Sequence, residues 1–382
     1  MSELFLVEPE APGPAWAPWS GVRPIAELRA GAWRIRERWE RSLGAAAAGI
    51  VGAHVADFVD VDAPPVVPRV RAGSFVAASW FAPAAGRITL APGVTRLTHD
   101  GETVACIAAT DGTPHLAGEG ACQEIAGVRL RGAYDLLRAL ELLLGPDCDE
   151  VTGRADLPAG TILIGEAGRI VSRGALVEPG VVFDVRAGAV VLDAGAEIRS
   201  GTRLEGPCWI GAGARVVGGF VRSSVIGPRA VVRGEVSTSV FIGYANKAHE
   251  GFVGHSVIGH WANLGAGTTT SNLKNTYGPI RLVADGEPVE TGRTFLGSLI
   301  GDHAKTAIGT MLPTGTIVGA GANVFGAAAV PKYVRPFAWG CDGERVTEEG
   351  FLRIAGRVLP RRDIELTPER AASLAATYRR LA

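Results

Sequence analysis

Leu192-Asp-Ala-Gly-Ala-Glu-Ile198-Arg-Ser-Gly-Thr-Arg-Leu204-Glu-Gly-Pro-Cys-Trp-Ile210-Gly-Ala-Gly-Ala-Arg-Val216 places an aliphatic side chain at every sixth position. The same spacing runs upstream through Ile164, Ile170, Leu176 and Val182. It continues in Ile226 and Val232, in Ile258 and Leu264, and in Leu312, Val318, Val324 and Val330. A helix repeats every 3.6 residues and a strand every 2, so a period of six is neither. It fits a parallel β-helix, in which each unit forms one flat segment and then turns a corner. The aliphatic residue points inward and stacks on its equivalent one coil away. Small residues, as in Ile210-Gly-Ala-Gly-Ala214 and Val318-Gly-Ala-Gly-Ala322, let the corners close. Three units per coil make a triangular prism, the left-handed β-helix, an exception to the right-handed crossover rule.

The period breaks at Pro279–Gly292, where Ile280, Leu282 and Val283 precede Asp285-Gly286. That dipeptide predicts a hairpin turn, and the segment is read as an arm protruding between coils. Beyond Pro336 the repeat ends. Thr367-Pro368-Glu369 predicts a helix start, with a cap, a first-turn proline and a first-turn acid. The first half of the chain has another rhythm. Leu4–Val7 reads as a buried strand, followed by a proline-rich loop. Ile25, Leu28, Ala32, Ile35, Trp39 and Leu43 recur at steps of three and four, predicting an amphipathic helix. Short Val-rich strands follow, and a helix is expected over 133–144, stopping at Gly145-Pro146. The expected organisation is an α/β domain (1–128), a helical connector (129–155), the β-helix (156–336) and a tail with a helix (337–382).

A chain of 382 residues supports two domains. Its formal net charge of −1 gives no electrostatic case for nucleic acid or an anionic membrane. The 5 cysteines lack CxxC spacing and read as reduced thiols, and the acidic start lacks a signal-like core. A soluble, cytoplasmic protein is expected.

All the lysines (Lys247, Lys274, Lys305, Lys332) and all the asparagines (Asn246, Asn263, Asn272, Asn275, Asn323) fall between 246 and 332. Elsewhere positive charge is arginine, which does not reproduce a compact ammonium. Asparagine also tolerates left-handed backbone, so corner residues of the repeat are the alternative reading. The densest stretch is 244–277, where the period is interrupted and polar side chains are thrown to an edge. A histidine there takes a proton from an amine near neutral pH.

These residues carry a resemblance. Tyr244–Tyr277 resembles the acetyltransferase domain of the bifunctional uridylyltransferase/glucosamine-1-phosphate acetyltransferases, through His249, Gly254, Ile258-Gly259, Asn263-Leu-Gly-Ala-Gly267 and Ser271-Asn272. Asn246-Lys247-Ala-His-Glu-Gly and Asn272-Leu-Lys-Asn-Thr-Tyr277 are more similar to the alternate bacterial form of that family, as are Arg23–Gly31 and Ile35–Trp39. Phe252 and Leu273 stand where the better-known form has tyrosine. The resemblance implies a nucleotidyltransferase-like first domain, acetyl-CoA as cosubstrate, a homotrimer, and acetylation of an amino-sugar 1-phosphate such as glucosamine-1-phosphate. It makes His249 the general base. Asn246, Lys247, Glu250, Asn263, Asn272, Lys274, Asn275, Tyr277 and Lys305 become candidates for sugar or coenzyme A contacts.

Uridylylation with UTP and Mg²⁺, giving UDP-N-acetylglucosamine, follows only if the first domain works. Its loop, Val7-Glu-Pro-Glu-Ala-Pro-Gly-Pro-Ala-Trp16, has prolines without N–H groups and two acids that repel phosphate. Arg23, Arg29, Arg36 and Arg38 are the alternative phosphate ligands, or else a solvated helix face. No metal site stands out. Two rivals remain: a structural or regulatory trimeric β-helix, and a zinc hydratase of the carbonic-anhydrase type using His255, His260 and His303. The latter lacks an upstream third histidine between His115 and His249.

Overall fold

The computed structural model describes residues 3–116, 119–326, 329–341 and 343–382. A six-stranded sheet forms the first domain, in the order Ala47–Val51, Leu4–Val7, Phe75–Ala78, Glu102–Ile107, Val94–His99, Ala121–Glu124. Leu4–Val7 is central and pairs in parallel with both neighbours, so it is buried on both faces and reads as an unbroken apolar run.

The predicted helix over 25–43 forms only at its end, as α1 (Ile35–Leu43). Ile25–Glu27 is a 3₁₀ turn, and Arg29–Ala30 pairs with Trp33–Arg34 in a small hairpin around Gly31, whose φ is +69°. A side chain at Gly31 would also collide with Asp147. The apolar positions are nonetheless all buried; their spacing reported burial, not conformation. Helix α2 (Asp135–Asp149) runs through Gly145-Pro146 rather than stopping there. The carbonyl that the proline leaves without its helical donor belongs to Leu142, a residue on the exposed side of the helix.

The second half is a parallel β-helix. Val240–Phe241, Asn246–Lys247 and Phe252–Gly254 are the three flat segments of one coil. Along one face Leu192, Ile210, Ile226, Phe241, Ile258, Ile300, Val318 and Val334 stack in register. The first coil is out of the expected phase: Phe183, not Val182, lies over Leu204, and Leu176 is exposed. An end coil has a neighbour on one side only, which relaxes its register.

That face is apolar outward as well. Val191, Trp209, Val225, Val240, Val257 and Leu299 share one core with α2 and the first domain. The 129–155 segment is therefore packed between the halves. Polar groups lock the same joint. Asp302 accepts hydrogen bonds from Trp19 Nε1 (3.0 Å), Arg23 Nε (2.8 Å) and the backbone N–H of His260 (3.1 Å). Burial alone would raise the Asp60 pKa, but Arg23 and His260 beside it hold it far below the carboxylate range.

The 279–292 arm is a hairpin, Arg281–Ala284 against Glu287–Glu290. It does not protrude: Ile280, Leu282 and Ala284 are buried in the common core and the arm touches the Pro14–Trp16 turn. Helix α4 (Pro368–Leu381) starts at the predicted cap, Thr367 accepting from the Arg370 N–H. Helix α3 (Glu348–Val358) was not foreseen. It leads into the Leu359–Arg362 turn, which lies against the β-helix.

Removing Asp302 leaves the buried Arg23 short of one partner and orphans the Trp19 and His260 N–H groups. Asp302→Ala should lower unfolding free energy by about 3 kcal/mol, measured by urea denaturation.

Candidate active site

Arg229, Tyr244, Trp261 and His303 occupy equivalent corners, with φ of 53°, 57°, 61° and 60°. Tyr244 stacks on Trp261 at 4.5 Å, and His303 follows at 6.2 Å. Burial pushes the His303 pKa down to about 3, so its imidazole is neutral. Two residues past each corner comes one column, Val231, Asn246, Asn263 and Lys305, which Asn323 continues on the next coil, paired in register. No described asparagine has positive φ, so the corner reading of these residues, Asn323 included, is corrected: Asn246, Asn263 and Asn323 are strand residues whose outward position follows from the pleat.

Asn246 Nδ2 donates to Asn263 Oδ1 at 2.8 Å, and Arg362 Nη2 donates to Asn246 Oδ1 at 3.4 Å. Lys305 Nζ donates to the His303 carbonyl at 2.8 Å. Asn246, Asn263 and Lys305 thus line one pocket of about 210 Å³, closed by Val358, Arg361 and Arg362. The two arginines were missed from the sequence, since they lie far from the repeat and bear no motif.

Lys247 faces the other way. It takes the inward position of the column Ile198, Val216, Val232, and its side chain is fully buried. Its Nζ reaches the carbonyls of Arg233 (3.3 Å) and His249. The expectation that Lys247 contacts substrate is therefore corrected: an inward strand position cannot reach a ligand, and the ammonium instead ties down the corner that carries His249. Burial pushes its pKa down to about 8.

His249 and Glu250 are exposed on that corner. The His249 imidazole has no hydrogen bond or ion pair among the described residues, whereas Glu250 pairs with Arg233 at 2.7 Å. Asn272 Nδ2 meets His255 Nδ1 at 2.8 Å. Burial pushes the His255 pKa to about 4, leaving a neutral ring that accepts from the amide and fixes its direction. Lys274 is held by the Pro279 carbonyl at 2.7 Å, and Asn275 and Tyr277 are exposed on the same loop. The predicted residues therefore fall into three groups along neighbouring coils rather than one pocket.

The arginines proposed for phosphate are committed elsewhere. Arg23 pairs with Asp60 and Asp302, Arg36 with Glu27 and Glu40, and Arg38 with Asp147; Arg29 donates to the Ile242 and Ala32 carbonyls. All four are buried, so they are neither a solvated helix face nor open phosphate ligands. At the end of Leu4–Val7 the Glu8 carboxylate accepts from the N–H groups of Ile25 (2.8 Å) and Ala26 (3.0 Å). A side-chain anion already holds those donors. Among the described residues one cluster has metal-ligand character, His99, Asp100 and Glu124, on the far edge of the sheet. Glu124 already accepts from Thr98 (2.7 Å) and the Asp100 N–H (2.6 Å). The described residues around Glu8 do not make a ligand set for Mg²⁺. His255, His260 and His303 form no such cluster either.

Residues 5–146 match the family model for sugar nucleotidyl transferases. The bifunctional sugar-1-phosphate nucleotidylyltransferase/acetyltransferase of Sulfurisphaera tokodaii is 34% identical over 100 residues, 26% of this chain and 25% of its own length. The bifunctional protein GlmU of Jannaschia sp. is 34% identical over 169 residues, 43% of this chain and 32% of that protein. GlmU of Methanococcus vannielii is 34% identical over 98 residues, 26% and 23% of the two chains. The matches thus span a third or less of these relatives' lengths. A sugar nucleotidyl transferase match ahead of a parallel β-helix fits the bifunctional form. Among the described residues no helix is long and apolar enough to cross a membrane.

The buried Lys247 yields a pH signature. Its folded pKa of about 8 lies below the ordinary 10.5. Between those values the unfolded chain holds more protons, so stability rises with pH across that window. Unfolding free energy should rise from pH 8 to 10 by on the order of 1–2 kcal/mol more in the wild type than in Lys247→Met, read from denaturant titrations at each pH.

Proposed function

We propose that this chain transfers the acetyl group of acetyl-CoA to the amine of an amino-sugar 1-phosphate, glucosamine-1-phosphate being the substrate its resemblance implies. The observation that carries the reading is the exposed, unpaired imidazole of His249 on a corner whose carbonyl Lys247 holds. The amine nitrogen attacks the thioester carbonyl carbon while His249 accepts the amine proton. The tetrahedral oxyanion that forms is suited to a backbone N–H at a corner. Its collapse breaks the carbon–sulfur bond, and the coenzyme A thiolate leaves and is protonated. Asn263 and Asn272 serve to orient the sugar and the acetyl group, and Lys274, Asn275 and Tyr277 flank the entrance.

Assembly as a homotrimer belongs to the same proposal. Ile308 and Met311 are 83% and 65% exposed, on one coil two turns along from the His249 corner, an apolar patch that a neighbouring copy would cover. Such a neighbour would also bring separated groups of residues onto one substrate. Uridylyl transfer from UTP, giving UDP-N-acetylglucosamine, is proposed as the second activity. It is supported by the match of residues 5–146 to the family model for sugar nucleotidyl transferases. A cytoplasmic location goes with these soluble substrates.

His249→Ala should retain the circular dichroism and light-scattering mass of the wild type. Acetyl transfer to glucosamine-1-phosphate, followed as free thiol, should fall about 100-fold or more, the usual loss for a general base. Undiminished thiol release would remove His249 from the chemistry. With UTP and Mg²⁺ added, pyrophosphate release should persist in the variant when N-acetylglucosamine-1-phosphate is supplied; no pyrophosphate in the wild type would confine activity to the β-helix.

A further inference from the structure

The pocket between the Asn246–Asn263–Lys305 column and the Leu359–Arg362 turn has an unbalanced charge. Lys305, Arg361 and Arg362 line it, and no carboxylate does. Lys305 Nζ is half-buried and its hydrogen bond goes to a backbone carbonyl, not to an acid. Burial pushes its pKa down to about 8, with no neighbouring charge to offset the cost. The Arg362 pKa is lowered too, first by burial and then by Arg215, Arg361 and Arg229. Asp363 pairs with Arg229 at 2.9 Å, outside the lining. Asn263 has its Nδ2 donors unpaired among the described residues. Converging cations without a counter-charge are costly unless an anion joins them.

We propose that this pocket binds a phosphate monoester, held by Lys305 and Arg362 with Arg361 at the mouth and Asn263 donating to a phosphate oxygen. A guanidinium and an ammonium together suit a dianion with several acceptor oxygens. Tyr244 and Trp261, stacked on each other, also line the pocket and are apolar neighbours for the ring attached to the phosphate. The volume of about 210 Å³ admits a phosphate group and part of that ring. Asn246 precedes His249 by three residues, at most about 10 Å of extended chain. The ester is thereby held near the base.

The identity of the ester rests on the acyl-transfer reading and has two sources there. One is the 1-phosphate of the amino sugar, the other the 3′-phosphate of coenzyme A. The Leu359–Arg362 turn lies outside the repeat, so the tail of this chain becomes part of the substrate site.

Isothermal titration of the full chain separates the possibilities. Glucosamine-1-phosphate is compared with glucosamine, and coenzyme A with 3′-dephospho-coenzyme A, on wild type, Lys305→Met and Arg362→Met. Each variant should lose 10-fold or more in affinity for the phosphorylated member of one pair and be unchanged for the other member. The pair that responds names the source. Both variants binding both phosphorylated ligands like the wild type would overturn the proposal. Arg361→Met, on an exposed side chain, serves as the third variant should either of the others fail to match the wild-type circular dichroism; unchanged affinity there and in the remaining folded variant counts equally against it. A wild type that shows no thiol release but keeps this phosphate dependence would sink the acyl-transfer reading and leave the pocket standing.

Discussion

The register of the parallel ladder is the constraint on which everything else in the second half depends. In a parallel β-helix an inward residue lies on an inward residue of the next coil, and outward on outward. Asn246 pairs with Asn263 and Asn263 with Lys305 because the coils repeat in phase, although 42 positions and an inserted hairpin separate the last two. Chain length between them is immaterial; only phase is. One residue of slip would turn the amides inward and Leu264 out. The pocket lining is thus an outcome of packing the aliphatic core, and substitutions deep in that core would be felt at the surface column.

A prism has three faces, and here one is spent on joining the halves. Val191, Trp209, Val225 and Val240 point outward into the core shared with α2. Around that apolar contact sits the polar lock at Asp302, which connects Trp19 and Arg23 of the first domain to the His260 corner. The same coils that carry the aromatic corner column are those gripped by the first domain. The arginines that read as phosphate ligands belong to this lock and to the core of the domain. Their carboxylate partners are already in the chain, and a buried guanidinium so satisfied has nothing left for a ligand.

The period of six, the predicted hairpin turn and the Thr367 cap were legible because each is a local pattern with one structural solution. The helix over 25–43 was not, because spacing of apolar residues reports which side chains are buried and Gly31 decides how the backbone achieves it. Clustering of lysine and asparagine located the site's half of the chain. It could not separate Lys247 from Lys305: one position of difference in strand phase sends one ammonium inside and the other out. The phase could have been counted from Phe241, since Lys247 lies six residues on and Val253 six more, all three buried. Arg361 and Arg362 were beyond reach, because the site gains them through tertiary packing of a turn about a hundred residues from the motif.

The interior of the prism changes character in the coils that carry the site. Its core cluster is apolar throughout, but in these coils Lys247, Thr268, Thr270 and Thr306 are buried beside it. Thr268 and Thr306 share a hydrogen bond of 2.7 Å, Thr306 also accepts from the Gly265 N–H at 3.1 Å, and Thr270 accepts from the Gly254 N–H at 3.1 Å. Lys247 ties the carbonyl of His249 from inside. Aliphatic columns supply burial but have no direction, so they leave corner N–H and C=O groups to the ladder alone. Where a corner departs from the ladder to present an exposed histidine, its backbone groups need partners, and inward polar side chains supply them. Each such group costs burial energy unless it is bonded. In these coils that cost goes to corners held in one geometry, as the proposed placing of an imidazole against a substrate amine requires.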